Sequence, residues 1–456
     1  MATTTLTQID LKELAADVVR RAMRMGATAA ECVVGEGSEF STAVRLGEVE
    51  TLKESGSKAL GVRVFLGQHT ANTSTSDLST EGIDQMVRSA VELAKVTSED
   101  PFAGIPESSQ LGQIPGDLDL YYDDVYSLST ADRIDYARRA EKAAMSADPR
   151  IQNSEGGSFD AATGHKVLAN SHGFVGEYQR SYCSVSAVPI AIDEQGNMQH
   201  DYWYSMSRTL KKLESPEEVG RIAAERTLRR LGARKVKTQR VPIIFDQQTS
   251  RALLDHVFDA VTGDAIYRHA SYLTGKLGEK IAGGNITVID DGTIPGGFGT
   301  SPFDSEGVPT RRTVVIEDGV LKSYMLNTYT AKKLGLATTG NASRGLAGTP
   351  GIGNGNFFLQ PGARTPKEMI ADIKEGLYVT EFLGFGVNLV TGDFSRGASG
   401  LWIHNGELAF PVEEITVAGN LKDMWLNVAE IGNDLEWRGA VACPTIRIEG
   451  MTVAGE

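Results

Sequence analysis

From residue 158 to residue 208 the chain runs through five segments in succession, 158–160, 166–170, 174–179, 184–191 and 201–208, that alternate apolar and polar residues without a helical period between them. A stretch of period two this long satisfies its backbone most simply by pairing each segment with the next, so it predicts a β-meander, with helices confined to its flanks. The flanks carry them. Leu11, Leu14, Ala15, Val18 and Ala22 line one side of a helix over 10–25, and Ser76-Asp77-Leu78-Ser79 caps a second that carries Ile83, Met86, Val87, Ala90 and Leu93. Two further helices are predicted over 131–145 and 216–231, while 31–35, 40–46, 58–66 and 70–73 read as strands, the last two joined by a turn at Gly67-Gln68. Residues 101–116, rich in Pro, Gly and Ser, read as a long loop.

The second half has another texture. The chain has 50 glycines, an excess over the usual ~7%, and they crowd into 290–299, 339–355 and 384–400. Asp318-Gly319 and Asn405-Gly406 sit between alternating apolar runs and predict hairpins. Thr365-Pro366-Lys367-Glu368 combines an N-cap, a proline at the first helical position and a glutamate at the third, predicting a helix over 366–375. The expected fold is α+β in two domains built mainly of antiparallel sheets with packed helices. An α+β domain occupies 1–235, and a glycine-rich sheet or barrel-like domain occupies 236–456.

A net charge of −14 argues against a nucleic-acid surface, because phosphate binding needs clustered cations. The one basic run, from Arg229 to Lys237, ends a predicted helix, where cations complement the dipole. Cys32, Cys183 and Cys443 are odd in number and far apart, so neither a disulfide framework nor a metal spacing follows, and a reducing cytoplasm is the expected compartment. Asp10, Lys12, Glu13 and Asp17 interrupt any signal-peptide core, no apolar run approaches the ~20 residues needed to span a bilayer, and the longest, 185–192, reads as a strand.

Chemistry is invited most by residues 250–264, a helix entered from a buried strand, 241–245, through a turn rich in capping residues. Leu253, Leu254, Val257, Phe258 and Val261 form its apolar stripe, leaving Asp255, His256 and Asp259 on the polar side. A zinc-peptidase helix needs two imidazoles one turn apart and a glutamate beside the first; here Val257 follows His256 and Ala260 lies a turn beyond. Two readings stay open: a core helix with a solvated polar face, or an atypical metal site of Asp255, His256 and Asp259. Gly351-Ile352-Gly353-Asn354-Gly355 lacks dinucleotide-loop spacing, and Gly397-Ala398-Ser399-Gly400 falls one residue short of a nucleophile elbow. His172, His200, His269 and His404 lack ligand spacing.

Lys58-Ala59-Leu60-Gly61-Val62-Arg63-Val64-Phe65, Ser74-Thr75-Ser76-Asp77-Leu78, Gly292-Thr293-Ile294-Pro295-Gly296-Gly297, Phe303-Asp304-Ser305-Glu306-Gly307, Gly392-Asp393-Phe394-Ser395-Arg396-Gly397-Ala398-Ser399-Gly400 and Asn405-Gly406-Glu407 resemble, in order and spacing, the TldD/PmbA family. The resemblance runs from about residue 30 to the end. It implies a two-subunit cytoplasmic metallopeptidase, described also as a modulator of DNA gyrase, whose TldD branch carries the zinc and whose PmbA, or TldE, branch lacks the motif. This chain resembles the second branch: of the expected His and Glu types at the zinc helix only His256 remains. Cys443 directly precedes the run that resembles the family's C-terminal strand, closer than the ligand cysteine of the metal-binding branch, so a buried structural thiol and a ligand are both open to it.

The resemblance thus implies a non-catalytic subunit, with no catalytic residue, metal or cofactor of its own, that completes a chamber for short or unfolded peptides around a zinc-bearing TldD-type partner. Alternatives are a self-associating metallopeptidase using Asp255, His256, Asp259 or Cys443, a homodimer when alone, and a binding module without peptidase activity. Neither nucleic acid nor membrane is an expected partner. Among the glycine-rich loops, 384–400 is the candidate for the shared chamber, with Asp393, Ser395 and Arg396 as its polar residues. An internal pairing of Asp393 with Arg396 is the competing reading.

Overall fold

Asp10 caps the first helix, α1 (Leu11–Arg24), by accepting hydrogen bonds from the amides of Lys12 and Glu13 in the computed structural model, which describes residues 10–456. The first nine residues of the expected first domain lie outside that range. The chain then forms β1 (Ala29–Arg45), β2 (Glu48–Leu66), β3 (His69–Thr75), α2 (Thr80–Ala94), α3 (Thr130–Met145), β4 (Ile151–Asn170), β5 (Val175–Ile192), β6 (Met198–His200), β7 (Trp203–Ser207) and α4 (Pro216–Leu228). The strands make one antiparallel sheet in the order β3-β2-β1-β4-β5-β6, with β7 also on β5.

Four of these strands are longer than the alternating runs predict. Residues 31–35 and 40–46 are one strand of 17 residues, and 158–160 with 166–170 belong to one of 20. The alternation lapses at their middles, where Gly35, Gly37 and Gly164 offer no apolar side chain, but the ladder does not: Gly37 pairs with both Ser57 and Gly164. A Cβ on Gly37 would lie 2.7 Å from the carbonyl oxygen of Thr163, so the close approach of the strands there requires the residue that breaks the pattern.

All four helices cover one face of this sheet. Leu11, Ala15, Val18 and Ala22 of α1 and Ile83, Met86, Val87 and Ala90 of α2 pack on Cys32, Val34, Leu60, Val62, Val64 and Val167. Ala137, Ala140 and Ala144 of α3 and Val219 and Ala223 of α4 pack on Phe40, Val44, Phe159, Ala161 and Val185. Residues of opposite parity in the strands therefore point away from the helices. That second face, with Val33, Leu168 and Tyr178, meets Phe303 and Leu346 from the second half of the chain.

The second half runs through β8 (Gln239–Phe245), α5 (Gln247–Val261), α6 (Gly263–Tyr267), β9 (Val288–Asp291), β10 (Arg312–Glu317), β11 (Val320–Leu321), α7 (Thr328–Leu334), β12 (Ala342–Ser343), β13 (Gly351–Ile352), β14 (Asn356–Leu359), α8 (Pro366–Ala371), β15 (Glu375–Leu383), β16 (Asp393–His404), β17 (Glu407–Asn420), α9 (Leu421–Leu426), β18 (Val428–Ile431), β19 (Val441–Ala442) and β20 (Ile446–Ala454). Strands β17-β16-β15-β8-β20 pair in turn, and β17 pairs back onto β20, which closes a five-stranded barrel. All its pairings are antiparallel except β8 with β15. A second sheet, β11-β10-β9-β14-β19, lies beside it. The expected α+β fold with a barrel-like second half is what the chain adopts.

Val241, Ile243 and Phe245 of β8 join Leu377, Val379, Val417, Ile446 and Ile448 in one core with Leu253, Leu254 and Val257 of α5. Both predicted hairpins are present, with Asp318-Gly319 and Asn405-Gly406 at positive φ in each turn. Helix α8 stops at Ala371, four residues before the predicted end, because Ile373 is drawn into a cluster with Ile244, Met369 and Ile403, and Glu375 already pairs with His404. Helix α5 begins at Gln247 and ends at Val261, where Thr262 turns extended and the amide of Gly263 donates to the carbonyl of Met325.

Candidate functional site

Helix α5 is fixed at its start by the buried carboxylate of Asp246, which accepts from the amides of Gln248 and Thr249 and from the Thr249 hydroxyl. Ser250, one turn in, donates its hydroxyl to the carbonyl of Pro444 at 2.8 Å and so ties the helix to the segment that carries Cys443. Asp255 is half-buried beside Arg251, 3.9 Å away, yet burial keeps its carboxyl above the usual range, with Asp259 adding to the shift. Burial raises Asp259 as well. It pushes His256 the other way, helped by Arg396, so the imidazole is held neutral, and its Nε2 has no hydrogen-bond partner.

Cys443 is buried, and burial raises the pKa of its thiol. The space between the start of α5, β7 and residues 436–443 is a cavity of only about 20 Å³. Arg438 lines it, its guanidinium 3.9 Å from the ring centre of Trp203 and bonded to Glu214 at 3.0 Å and Glu436 at 2.7 Å. Among the described residues no three His, Cys, Asp or Glu side chains converge as a metal would require. A single imidazole, with no second histidine, thiolate or set of carboxylates converging on it among the described residues, does not make up a zinc ligand set.

Asp393, Ser395 and Arg396 do not converge. Asp393 and Ser395 point outward from β16, the former accepting from the Thr391 hydroxyl at 2.6 Å and the Asn420 amide at 3.1 Å. Arg396 points the other way, 4.6 Å over the ring of Phe382, near His256. The neighbouring loop carries a fully exposed Phe385.

Two adjoining cavities, about 490 and 210 Å³, lie between the helix-free face of the first sheet and the glycine-dense segments of the second half, and share Lys166, Tyr178, Arg180, Phe298 and Arg344. Asp393, Ser395 and Arg396 line neither of them. Close docking of the two halves creates both. A Cβ on Gly61 would lie 1.7 Å from the carbonyl oxygen of Leu346, so only glycine lets β2 meet that loop. Behind the cavity wall sits an ion network: Glu31, fully buried, pairs with Arg63 at 2.7 Å and Arg344 at 2.6 Å, and Arg63 reaches toward Glu306 at 3.9 Å.

Lys166 donates to the Ser305 hydroxyl at 2.9 Å, and burial, with Arg344 and Arg180 nearby, lowers its pKa to about 8. Asp304 accepts from the amides of Glu306, Val308 and Ala342, yet burial and Glu306 hold its pKa up. Asp290 is raised to about 6 by burial, accepting from Asn341 on one oxygen while the other has no partner. Such concentrated perturbation in a cleft marks a candidate site. Sequence reasoning missed it, although Asp304, Ser305 and Glu306 belong to one of the motifs that carry the family resemblance: two acids in a short glycine-bounded run were the available signal.

The basic run after α4 serves structure. Arg230 pairs with Glu381 at 2.7 Å, Lys235 with Glu414 at 2.9 Å, and Arg234 lies 3.7 Å from the Phe410 ring centre.

Compared with known proteins, residues 30–94, 123–231 and 238–455 match the first, central and C-terminal domains of the PmbA/TldA metallopeptidases. Metalloprotease PmbA of Escherichia coli O157:H7 is 40% identical over 94% of this chain and 92% of its own length. A Metalloprotease PmbA homolog of Haemophilus influenzae is 36% identical over 98% and 96%. Among solved structures, a proposed modulator of DNA gyrase from Bacteroides thetaiotaomicron superposes with a TM-score of 0.91 at 29% identity, covering 98% of this chain and 99% of that one. TldE from Thermococcus kodakarensis shares the fold, with a TM-score of 0.87 at 21% identity over 97% and 100%.

Proposed function

The chain belongs to the PmbA/TldD metallopeptidase family, and from that premise we propose that it is a non-catalytic subunit, which completes a substrate chamber for a zinc-bearing homologue acting on short or unfolded peptides. The observation that carries this reading is the donor set at α5. Metal-assisted hydrolysis needs a bound water of lowered pKa, an open coordination position and a base. Here a lone His256 and the buried thiol of Cys443, with no converging set of further ligands among the described residues, do not assemble that combination. The helix retains its place in the core and leaves the chemistry to the partner.

A chamber subunit has to recognise backbone rather than sequence, which strand addition at a sheet edge does, and β3 ends the first sheet as such an edge. In the absence of the partner a homodimer takes its place. The three thiols are free and buried, as a reducing compartment permits, and no helix among the described residues is long and apolar enough to cross a membrane; both support a cytoplasmic location.

The reading is tested by mixing this chain with a TldD-type homologue. The two co-elute on a sizing column, the mixture hydrolyses an unfolded peptide faster than the homologue alone, and His256→Ala in this chain leaves the gain unchanged. Failure to co-elute, or loss of the gain with His256→Ala, contradicts it.

A further inference from the structure

The paired cavities between the halves are rich in cationic hydrogen-bond donors. The smaller is lined by Lys166, Arg180, Arg311 and Arg344 against two acids, Asp290 and Asp304, in a chain whose net charge is −14. Asp304 already takes three backbone amides. The Ser305 hydroxyl accepts from Lys166 and from the amide of Arg344, so its own hydrogen is free to donate. Arg180 has no ion pair or side-chain hydrogen bond among the described residues, although β5 places it on the cavity face with Tyr178.

Arg344 adds the least expected feature. Its side chain is 3% exposed, and one terminal nitrogen pairs with Glu31, but Nε and Nη2 make no hydrogen bond. Buried donors are normally satisfied, and such an orphaned edge calls for a missing partner. Elsewhere in this chain that same Nε and Nη2 edge grips carboxylates: Arg139 holds Glu217 at 2.7 and 2.9 Å, and Arg150 holds Asp148 at 2.9 Å through both nitrogens. The planar fork suits a carboxylate.

We propose that this interdomain cavity is a binding site for the carboxylate of a small ligand, held by Arg180 and Lys166 with Arg344 behind them. The larger cavity, about 490 Å³, is of the size that small-molecule sites have and opens at a rim that includes Glu36, Glu39 and Ser57. Glu36 is paired with Lys58 at 3.4 Å, which offsets part of the acidity there. A peptide C-terminus and a free organic acid share this chemistry. The assignment is independent of the subunit reading, since neither zinc nor a partner enters its test.

The test is calorimetric titration of the purified chain at pH 6.5 with N-acetyl-trialanine, its C-terminal amide, succinate and inorganic phosphate. A carboxylate ligand binds, amidation weakens the peptide by about tenfold or more, and Arg180→Ala and Lys166→Met each weaken binding by about tenfold. Arg180→Lys recovers part of the loss, and melting curves of the Arg180 variants match the parent. Peptide bound in preference to succinate assigns a peptide terminus; succinate alone assigns a free acid. Equal binding of acid and amide, binding of phosphate alone, no binding at all, or variants that bind as the parent does would overturn the proposal.

Discussion

Asp290 is the residue whose ionisation the fold resists with a defined effect on stability. Its pKa in the folded chain is raised to about 6 by burial, above the ~3.9 of an unfolded aspartate. Between those values the folded state binds more protons than the unfolded one, so its contribution is fully present below the unfolded pKa and is lost as pH rises through about 6. The melting temperature of the parent is therefore expected to fall more steeply between about pH 4 and pH 6 than that of Asp290→Asn; parallel slopes in the two proteins would count against this. What the sequence disclosed at this scale was the departure at α5, because a missing imidazole can be read without coordinates. Lys166, Arg180 and Arg344 could not be read. In a strand alternating with an apolar face, polar residues imply solvent, and only the docking of the second half turns that face into a cavity wall.

Elements were legible where local chemistry determines them. Apolar stripes gave α1 and α2, and Asp-Gly and Asn-Gly gave both hairpins. The long strands were not legible as units, because Gly35, Gly37 and Gly164 lie at their middles and offer no apolar side chain, which erases the period that would have linked their halves. Gly61→Ala places a methyl against the Leu346 carbonyl and is expected to cost about 1–3 kcal/mol as strand and loop move apart, read as a lower urea midpoint, together with weaker carboxylate binding because Arg344 shifts. An unchanged midpoint would mean that the loop yields freely. At α5, Asp246→Ala removes the cap and is expected to cost about 1–2 kcal/mol. The same urea titration checks it, and a midpoint equal to the parent's would contradict that role.

Across the whole molecule, the order of helices and alternating runs was enough for an α+β chain with a barrel-like second half, but closure of β17 onto β20 and the docking of that half on the open face of the first sheet depend on contacts far apart in sequence. The same docking separates two sites that a peptidase would combine. One is the small cavity at the start of α5, lined by Arg438 and Cys443; the other is a cationic cavity. On the proposed reading, a subunit so built contributes shape and binding while a partner contributes zinc. The most direct measurement is the zinc content of the chain purified alone without chelators, taken together with its hydrolysis of an unfolded peptide. The expected result is neither stoichiometric zinc nor turnover until the zinc-bearing homologue is added; stoichiometric zinc with turnover in the isolated chain, both abolished by His256→Ala, would contradict the non-catalytic role.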